Sequence, residues 1–402
     1  MKKDFAENDT KTLIASRNAL FLLFALPGVA FATWISRTAA TRDILTVSNA
    51  EMGWILFGLS VGSIIGLLSA SHFIDGKGAR DVIIGSMFFM IVGLLCLGIT
   101  IYFVSSMGTF GSLLVFGVGY GLAEVALNVE GSAIEQKLGT TLLPKFHGFF
   151  SIGTLVGALS GSAAISLHIP ILYQFLAISV MFVLLVCMLY RFLPHGTGKK
   201  EKSRNKKRAK HTSLRMERRV LLLGLFVLGM AFAEGSANDW LPIVMVDGHQ
   251  QSIVTGSIMY TIFVLAMTLA RMCSSYFLDR FGRIAVMRAT IMMAIIGMTI
   301  VIFGSNSYFL ALGVVLWGIG AALGFPIGLS AAGDDSENAT SNVAAVSIIG
   351  FTAFLVGPPF LGILGEAFGI RNALLAVLLF VILSGIVSSV MRECIELNTE
   401  CR

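Results

Sequence analysis

Apolar residues in this chain gather into twelve runs, each close to the roughly 20 residues that a helix needs to cross about 30 Å of hydrocarbon. They fall near 18–37, 52–73, 82–103, 108–130, 147–167 and 171–191, then near 220–244, 252–277, 284–304, 307–332, 341–364 and 371–391. None shows the alternation of barrel strands, and lipid leaves free backbone N–H and C=O groups unsatisfied, so the pattern predicts helices throughout. The two sets of six predict an all-α membrane protein with one six-helix bundle at 18–193 and another at 220–392. A polar linker spans 194–219, and tails occupy 1–17 and 393–402.

The polar positions between runs repeat as well. Ser71-x3-Asp75-Gly76-Lys77-Gly78-Ala79-Arg80 closes the second run, and Ser275-x3-Asp279-Arg280-Phe281-Gly282-Arg283 closes the eighth. Duplication of this kind inside a membrane points to a transporter built from two equivalent halves. Asp75 with Arg80, and Asp279 with Arg280 and Arg283, are candidates for a latch: a carboxylate near the start of the next helix is stabilised by the helix dipole and a basic side chain. Ordinary turn capping is the plainer reading of either copy.

Composition agrees. With 56% hydrophobic and 13% charged residues and a mean hydropathy of +0.85, a soluble domain of 402 residues is excluded. The pI near 9.1 raises nucleic acid as a partner, but the basic residues follow topology. Of the 29 Lys and Arg, all except Arg37, Arg42, Arg271 and Arg371 fall in the tails, the linker or the loops on one face, which predicts that both termini are cytoplasmic. The basic stretch Lys199–Lys210 reads as a solvated hinge that fixes orientation, with anionic lipid or RNA as the alternative ligand. The triplet Ala30-Phe31-Ala32 resembles a signal-peptidase site, yet the apolar run continues past it, so the first helix is expected to be retained. Cys96, Cys187, Cys273, Cys394 and Cys401 lack metal-type or disulfide-framework spacing. Asn338-Ala339-Thr340 fits a glycosylation acceptor but lies on the face read as internal.

The repeated loops resemble the signature of the major facilitator superfamily, and the 6+6 layout with its long central loop extends the resemblance over the whole chain. Gly117-x-Gly119-Tyr120-Gly121-Leu122-Ala123-Glu124-x3-Asn128 is similar to the Gly-rich segment of fucose-permease-like members. The resemblance implies two six-helix bundles around a central cavity that opens alternately to each side. Three departures stand out: Gly76 replaces a basic residue in the first loop, Ile35 stands where that branch carries a proton-binding Asp, and Gly153-x3-Gly157-x3-Gly161 lacks the Gly-Pro pair of many drug/proton antiporters.

An ionisable side chain at mid-helix costs at least about 2.5–3.5 kcal/mol if it faces lipid, so Glu124, Glu234 and Arg271 each need a cavity or a partner. Gly117, Gly121, Glu124 and Asn128 share one helix face, a surface suited to line a passage in which Glu124 carries protons. Permanent pairing with a cation is the structural alternative. Glu234, Asn238, Asp239, Trp240 and Pro242 form a polar cluster ending in a helix breaker, which predicts a broken gating helix with Glu234 as a second proton candidate. Trp240 and Trp34 are candidate cavity aromatics or interfacial anchors. Tyr120, Asn128 and Asn238 complete the candidate substrate contacts. Arg271 needs an anion: a partner in its own half, Glu124, the acidic end Asp334-Asp335-Ser336-Glu337, or substrate.

Gly58-x3-Gly62-x3-Gly66 permits close backbone approach, for motion or for simple packing. Gly324-Phe325-Pro326-x-Gly328 and Gly357-Pro358-Pro359-x2-Gly362 predict bends, and His72 and His147 read as solvated caps or proton relays. No nucleotide-binding loop, catalytic triad or metal cluster appears, which argues against an ATP-driven pump and an enzyme. The sequence thus predicts a cofactor-free, monomeric secondary transporter of the bacterial inner membrane, moving a small polar solute such as a sugar by proton symport. Drug or metabolite export is one alternative, and a transporter-like sensor or scaffold is the other.

Overall fold

The computed structural model describes residues 2–199, 218–334 and 338–392. Twelve of its helices are long and apolar enough to cross a membrane. They are α1 (Lys2–Ser36), α2 (Asn49–Lys77), α3 (Ala79–Tyr102), α4 (Ser106–Leu138), α5 (Leu143–Ser166), α6 (Ile171–Leu189), α7 (Arg218–Ile243), α8 (Ile253–Phe281), α9 (Arg283–Phe303), α10 in two pieces (Ser307–Ala321 and Gly324–Ala332), α11 (Ala339–Phe368) and α12 (Ile370–Val387). The chain divides into two compact units, Met1–Ala209 and Lys210–Arg402. The basic stretch from Lys200 onward, Asp335 to Glu337, and the tail with Cys394 and Cys401 lie outside the described residues.

Helix boundaries follow local chemistry. Ser48 caps α2 in a reciprocal box with Glu51, and Ser105, Ser252 and Asn306 accept from the first free N–H groups of α4, α8 and α10. The repeated signature explains its own glycines: Gly78 (φ 94°) and Gly282 (φ 77°) form the single-residue links from α2 to α3 and from α8 to α9. An L side chain is strained at either φ, so each loop can turn this tightly only on glycine.

Packing repeats in register too. A Cβ added to Gly93 would fall 2.6 Å from Phe116 Cα, and the equivalent Gly297 abuts Trp317; Gly119 packs on Met90 N where Gly320 packs on Ala294 N. Gly117 sits against Leu59 and Ser63 of α2, as Gly318 sits against Phe263 and Met267 of α8. The offset is 204 residues for the second and third helices of each unit and 201 for the fourth, so the duplication extends to individual contacts.

Two helices differ from the sequence reading, and one expected bend, in α10, is a full break. α4 runs to Leu138 rather than ending near 130, because Gly139 (φ 63°) is the first residue to supply a left-handed C-cap. α7 is not broken at Pro242; it continues through the proline and widens into a π-turn at Val244–Gly248. The break falls in α10, between Ala321 and Gly324, at the Gly-Phe-Pro segment. A short helix, Thr38–Leu45, also follows α1.

The loop ends opposite the repeated signature are tied by arginines. Arg37, 4% exposed, donates to Gln174 Oε1 (2.6 Å) and the Ile169 carbonyl (2.8 Å), and burial lowers its pKa to about 10. Arg371 donates to the carbonyls of Ile302, Gly304 and Gly248. Arg371 thereby satisfies carbonyls that the end of α9 leaves free, and Arg37 ties the loop between α5 and α6.

Candidate functional site

Within the spans of the first unit, Glu124 meets a neutral partner. Glu124 is exposed; its carbonyl accepts from the Asn128 side chain at 2.7 Å and its carboxylate at 3.3 Å. Asn128 Oδ1 in turn meets His147 Nε2 of α5 at 3.0 Å, and His147 lies edge-on to Phe24 of α1. The three polar groups thus form a chain from α4 to α5, with no cation on Glu124 among the described residues. Glu124, Asn128, Ser132 and Gln136 recur every four residues along one face and, with Thr197 and Gly198, line an open groove of about 570 Å³. Tyr120, half-buried, sits within an aromatic group of Phe31, Phe116 and Phe150.

Within the spans of the second unit, Glu234 and Arg271 pair with each other. Arg271 Nη2 donates to Glu234 Oε1 at 2.8 Å, and its Nε donates to the Ala322 carbonyl at 3.0 Å, at the break in α10. Arg271 therefore finds its anion within its own half, in Glu234; Asp334 of the acidic loop is held elsewhere. Asn238, one turn beyond Glu234, accepts from the Tyr260 hydroxyl of α8 at 3.4 Å. Trp34 and Trp240 are both 0% exposed, and their indole N–H groups have no acceptor among the described residues. Protein surrounds both rings, so neither is exposed at a membrane interface and neither lines an open cavity. The third indole in this class, Trp317, donates to the Ala233 carbonyl at 3.1 Å.

The two copies of the loop signature hold different partners. In the first, Arg80 contacts the His195 ring nitrogens and lies 5.6 Å from the Tyr190 ring centroid. Ala79 N donates to the Thr197 carbonyl at 2.8 Å, and the Thr197 hydroxyl donates to Glu130 of α4 at 3.3 Å. This clasp joins the α2–α3 loop to the segment after α6. Asp75 is half-buried in the last turn of α2. In the second copy Arg283 forms a two-point pair with Asp334, at 2.6 and 3.2 Å, joined by Arg219 at 3.5 Å. Asp279 is exposed without a hydrogen-bond or ion-pair partner among the described residues, and Arg280 lies over its neighbour Phe281.

Glu130, Thr197 and His195 were not singled out from sequence. Glu130 stood at the end of the predicted fourth run; only the extension of α4 to Gly139 puts it two turns inside. The Gly196-Thr197-Gly198 triplet is the sequence signal for a turn at the start of the linker, and its glycines adopt φ of 80° and 75°.

Twelve apolar helices in two six-helix units, with charged and amide groups set inside the spans, define a multi-pass membrane protein of the transporter class. The family model for the Major Facilitator Superfamily matches residues 13–259 and 240–394, and the chain belongs to that superfamily. It is 27% identical over 350 residues to an uncharacterized MFS-type transporter of Yersinia pestis, covering 86% of this chain and 88% of the relative. It is 26% identical over 372 residues to the membrane protein MosC of Rhizobium meliloti, covering 92% and 87%. Among solved structures it is similar to a mutant of the nucleoside transporter NupG, with a TM-score of 0.76 at 16% identity over 94% of this chain and 99% of that one. It is also similar to a D-xylose-proton symporter, with a TM-score of 0.69 at 14% identity over 93% and 96%.

Proposed function

We propose that this chain is a secondary active transporter of the bacterial inner membrane, with both termini in the cytoplasm. It moves a small polar solute, such as a sugar, by alternating access of its two halves. The Lys and Arg distribution supports the orientation. The Glu124-x3-Asn128 segment supports placement near the fucose-permease-like branch, and the nucleoside and D-xylose transporters of the same fold support a polar solute.

The observation that carries the proton assignment is the setting of Glu124: a membrane-span carboxylate open to a groove, bonded to an amide and free of any described cation. A carboxylate so placed can take a proton without breaking an ion pair, and the Asn128–His147 chain offers hydrogen-bonding groups beside it. Glu234 is the second carrier, gated by Arg271. The repeated signature, with Asp75 and Arg80 in one half and Asp279, Arg280 and Arg283 in the other, serves as a cytoplasmic latch; the contacts of Arg80 with His195 and of Arg283 with Asp334 support a fastening role for its arginines, and neither of those contacts involves the signature aspartates.

The test is uptake into proteoliposomes under an imposed inward proton gradient, with radiolabelled D-xylose, uridine and glucuronate as probes. Gradient-driven accumulation that collapses in Glu124→Gln supports symport. Full accumulation in that variant removes Glu124 from the coupling. Flux only as outward counterflow makes the protein an exporter, and binding without flux makes it a sensor.

A further inference from the structure

Among the described residues, the Glu234–Arg271 pair is the ion pair of the second unit that lies within the spans; Asp334 with Arg283 and Arg219 stands at the helix ends. Its side chains are 15% and 27% exposed. A lipid-facing guanidinium in mid-span would be costly, so this exposure is to a space that water reaches. Arg271 spends Nε on the Ala322 carbonyl and Nη2 on Glu234, while Nη1 has no partner among the described residues; Glu234 Oε2 has none either. The Ala322 bond fixes the plane of the guanidinium, leaving the Nη1–Nη2 edge half used. A carboxylate can accept both N–H groups of that edge in the two-point geometry arginine favours.

We propose that Arg271 is the recognition group for an anionic substrate, a small monocarboxylate, which displaces Glu234 as Glu234 takes up a proton from water. The inference rests on the transporter reading and names its substrate class. Charge decides it. The resting pair is neutral; one substrate carboxylate arriving with one proton on Glu234 restores neutrality, whereas an anion arriving alone leaves an uncompensated negative charge in the span. A neutral solute leaves the ion pair in place and gains at most the Nη1 donors. A dianion finds no second cation here among the described residues.

Among the described residues, the neighbouring helices offer no competing group. Asp239 lies on α7 five residues on and to another side of the helix; Tyr260 of α8 is engaged with Asn238. Asp334 at the end of α10 is held by Arg283 and Arg219. The ionisable groups of α11 and α12, Glu366 and Arg371, flank the junction of those two helices.

The experiment is thermal-shift and proton-uptake titration of the detergent-purified full chain. The probes are acetate, lactate, gluconate and glucuronate as sodium salts, against glycerol and glucose. At least one monocarboxylate is expected to stabilise the wild type and glucose not, with affinity falling about tenfold per unit rise in pH because one proton is bound with the anion. Glu234→Gln binds that acid without proton uptake and without the pH dependence; Arg271→Lys binds it at least about tenfold more weakly while keeping the charge. Glucose binding as well as the acids, an unchanged pH dependence in Glu234→Gln, or no acid binding by a folded Glu234→Gln protein each overturns the proposal. Proton-driven accumulation of glucose without acid binding sinks this inference and leaves the transport reading intact. Arg271-dependent acid binding without flux keeps the site and sinks transport.

Discussion

The point where α2 meets α4 in the first unit and the matching point of α8 and α10 in the second share a scaffold and differ in chemistry. In the first, Gly121 brings α4 against α2 so closely that a Cβ would lie 2.8 Å from Leu67 N and strike the Ser63 carbonyl. In the second, Arg271 occupies the position of Leu67 and Ala322 that of Gly121; the arginine donates to the Ala322 carbonyl and α10 breaks there. The glycines Gly58, Gly62 and Gly66 become Ile262, Ala266 and Ala270, and Glu124 becomes Phe325. The duplication preserved the contacts that set helix spacing and discarded chemical equivalence. One half is a backbone-tight wall with a lone acid bonded to neutral groups, and the other is a looser seam carrying a paired charge.

The largest effect that tests this contrast comes from Gly121→Leu. Its side chain has backbone on every near side, so no rotamer change relieves it, and the variant is expected to yield no monodisperse protein by fluorescence size exclusion. Ala322→Leu, in the looser seam, is expected to remain monodisperse. Equal tolerance of the two would erase the distinction.

Arg271→Ala comes next. It leaves Glu234 and the Ala322 carbonyl without their donor at a partly exposed site, so the expected loss is about 1–3 kcal/mol, below the full cost for a sealed pair. A fall in melting temperature that Glu234→Gln partly restores in the double variant sharpens the contrast. No fall would mean that the pair contributes nothing to folding.

At the signature ends, Asp334→Asn removes the partner of two arginines and should lower the melting temperature more than Glu130→Gln. Glu130 accepts one Thr197 hydroxyl, and its Oε2 is without a partner among the described residues, so its loss is expected near 1 kcal/mol or less. The reverse order would show that the clasp, not the ion pair, is the stronger fastening.

The smallest effect is pH-dependent and confined to the second unit. Burial holds the His249 imidazole below its usual value and the Arg371 charge adds to this, against the bond to the Val301 carbonyl. The unfolded chain therefore binds more protons near pH 6.5 than the folded chain, and stability is lost as pH falls through that value. His249→Gln should flatten the decline in melting temperature between about pH 7.5 and 5.5. An unchanged slope would assign the decline to other groups.

The sequence alone determined the architecture, because apolar runs of membrane length admit few solutions and a twice-used loop betrays duplication. It also located Glu124, Glu234 and Arg271, since charges inside such runs are few and costly. It could not say who pairs with whom: Arg271 had an anion to find, and only the approach of α8 to α7 made that anion Glu234. Nor could it separate Pro242, through which α7 runs on, from Gly324-Phe325-Pro326, where α10 breaks. Both are helix breakers by composition, and neighbouring packing decides which backbone groups stay satisfied. Glu130 became an interior group only when Gly139 proved to be the cap. Spacing along a chain fixes which residues share a face; which faces meet is set by the tertiary fit of whole helices.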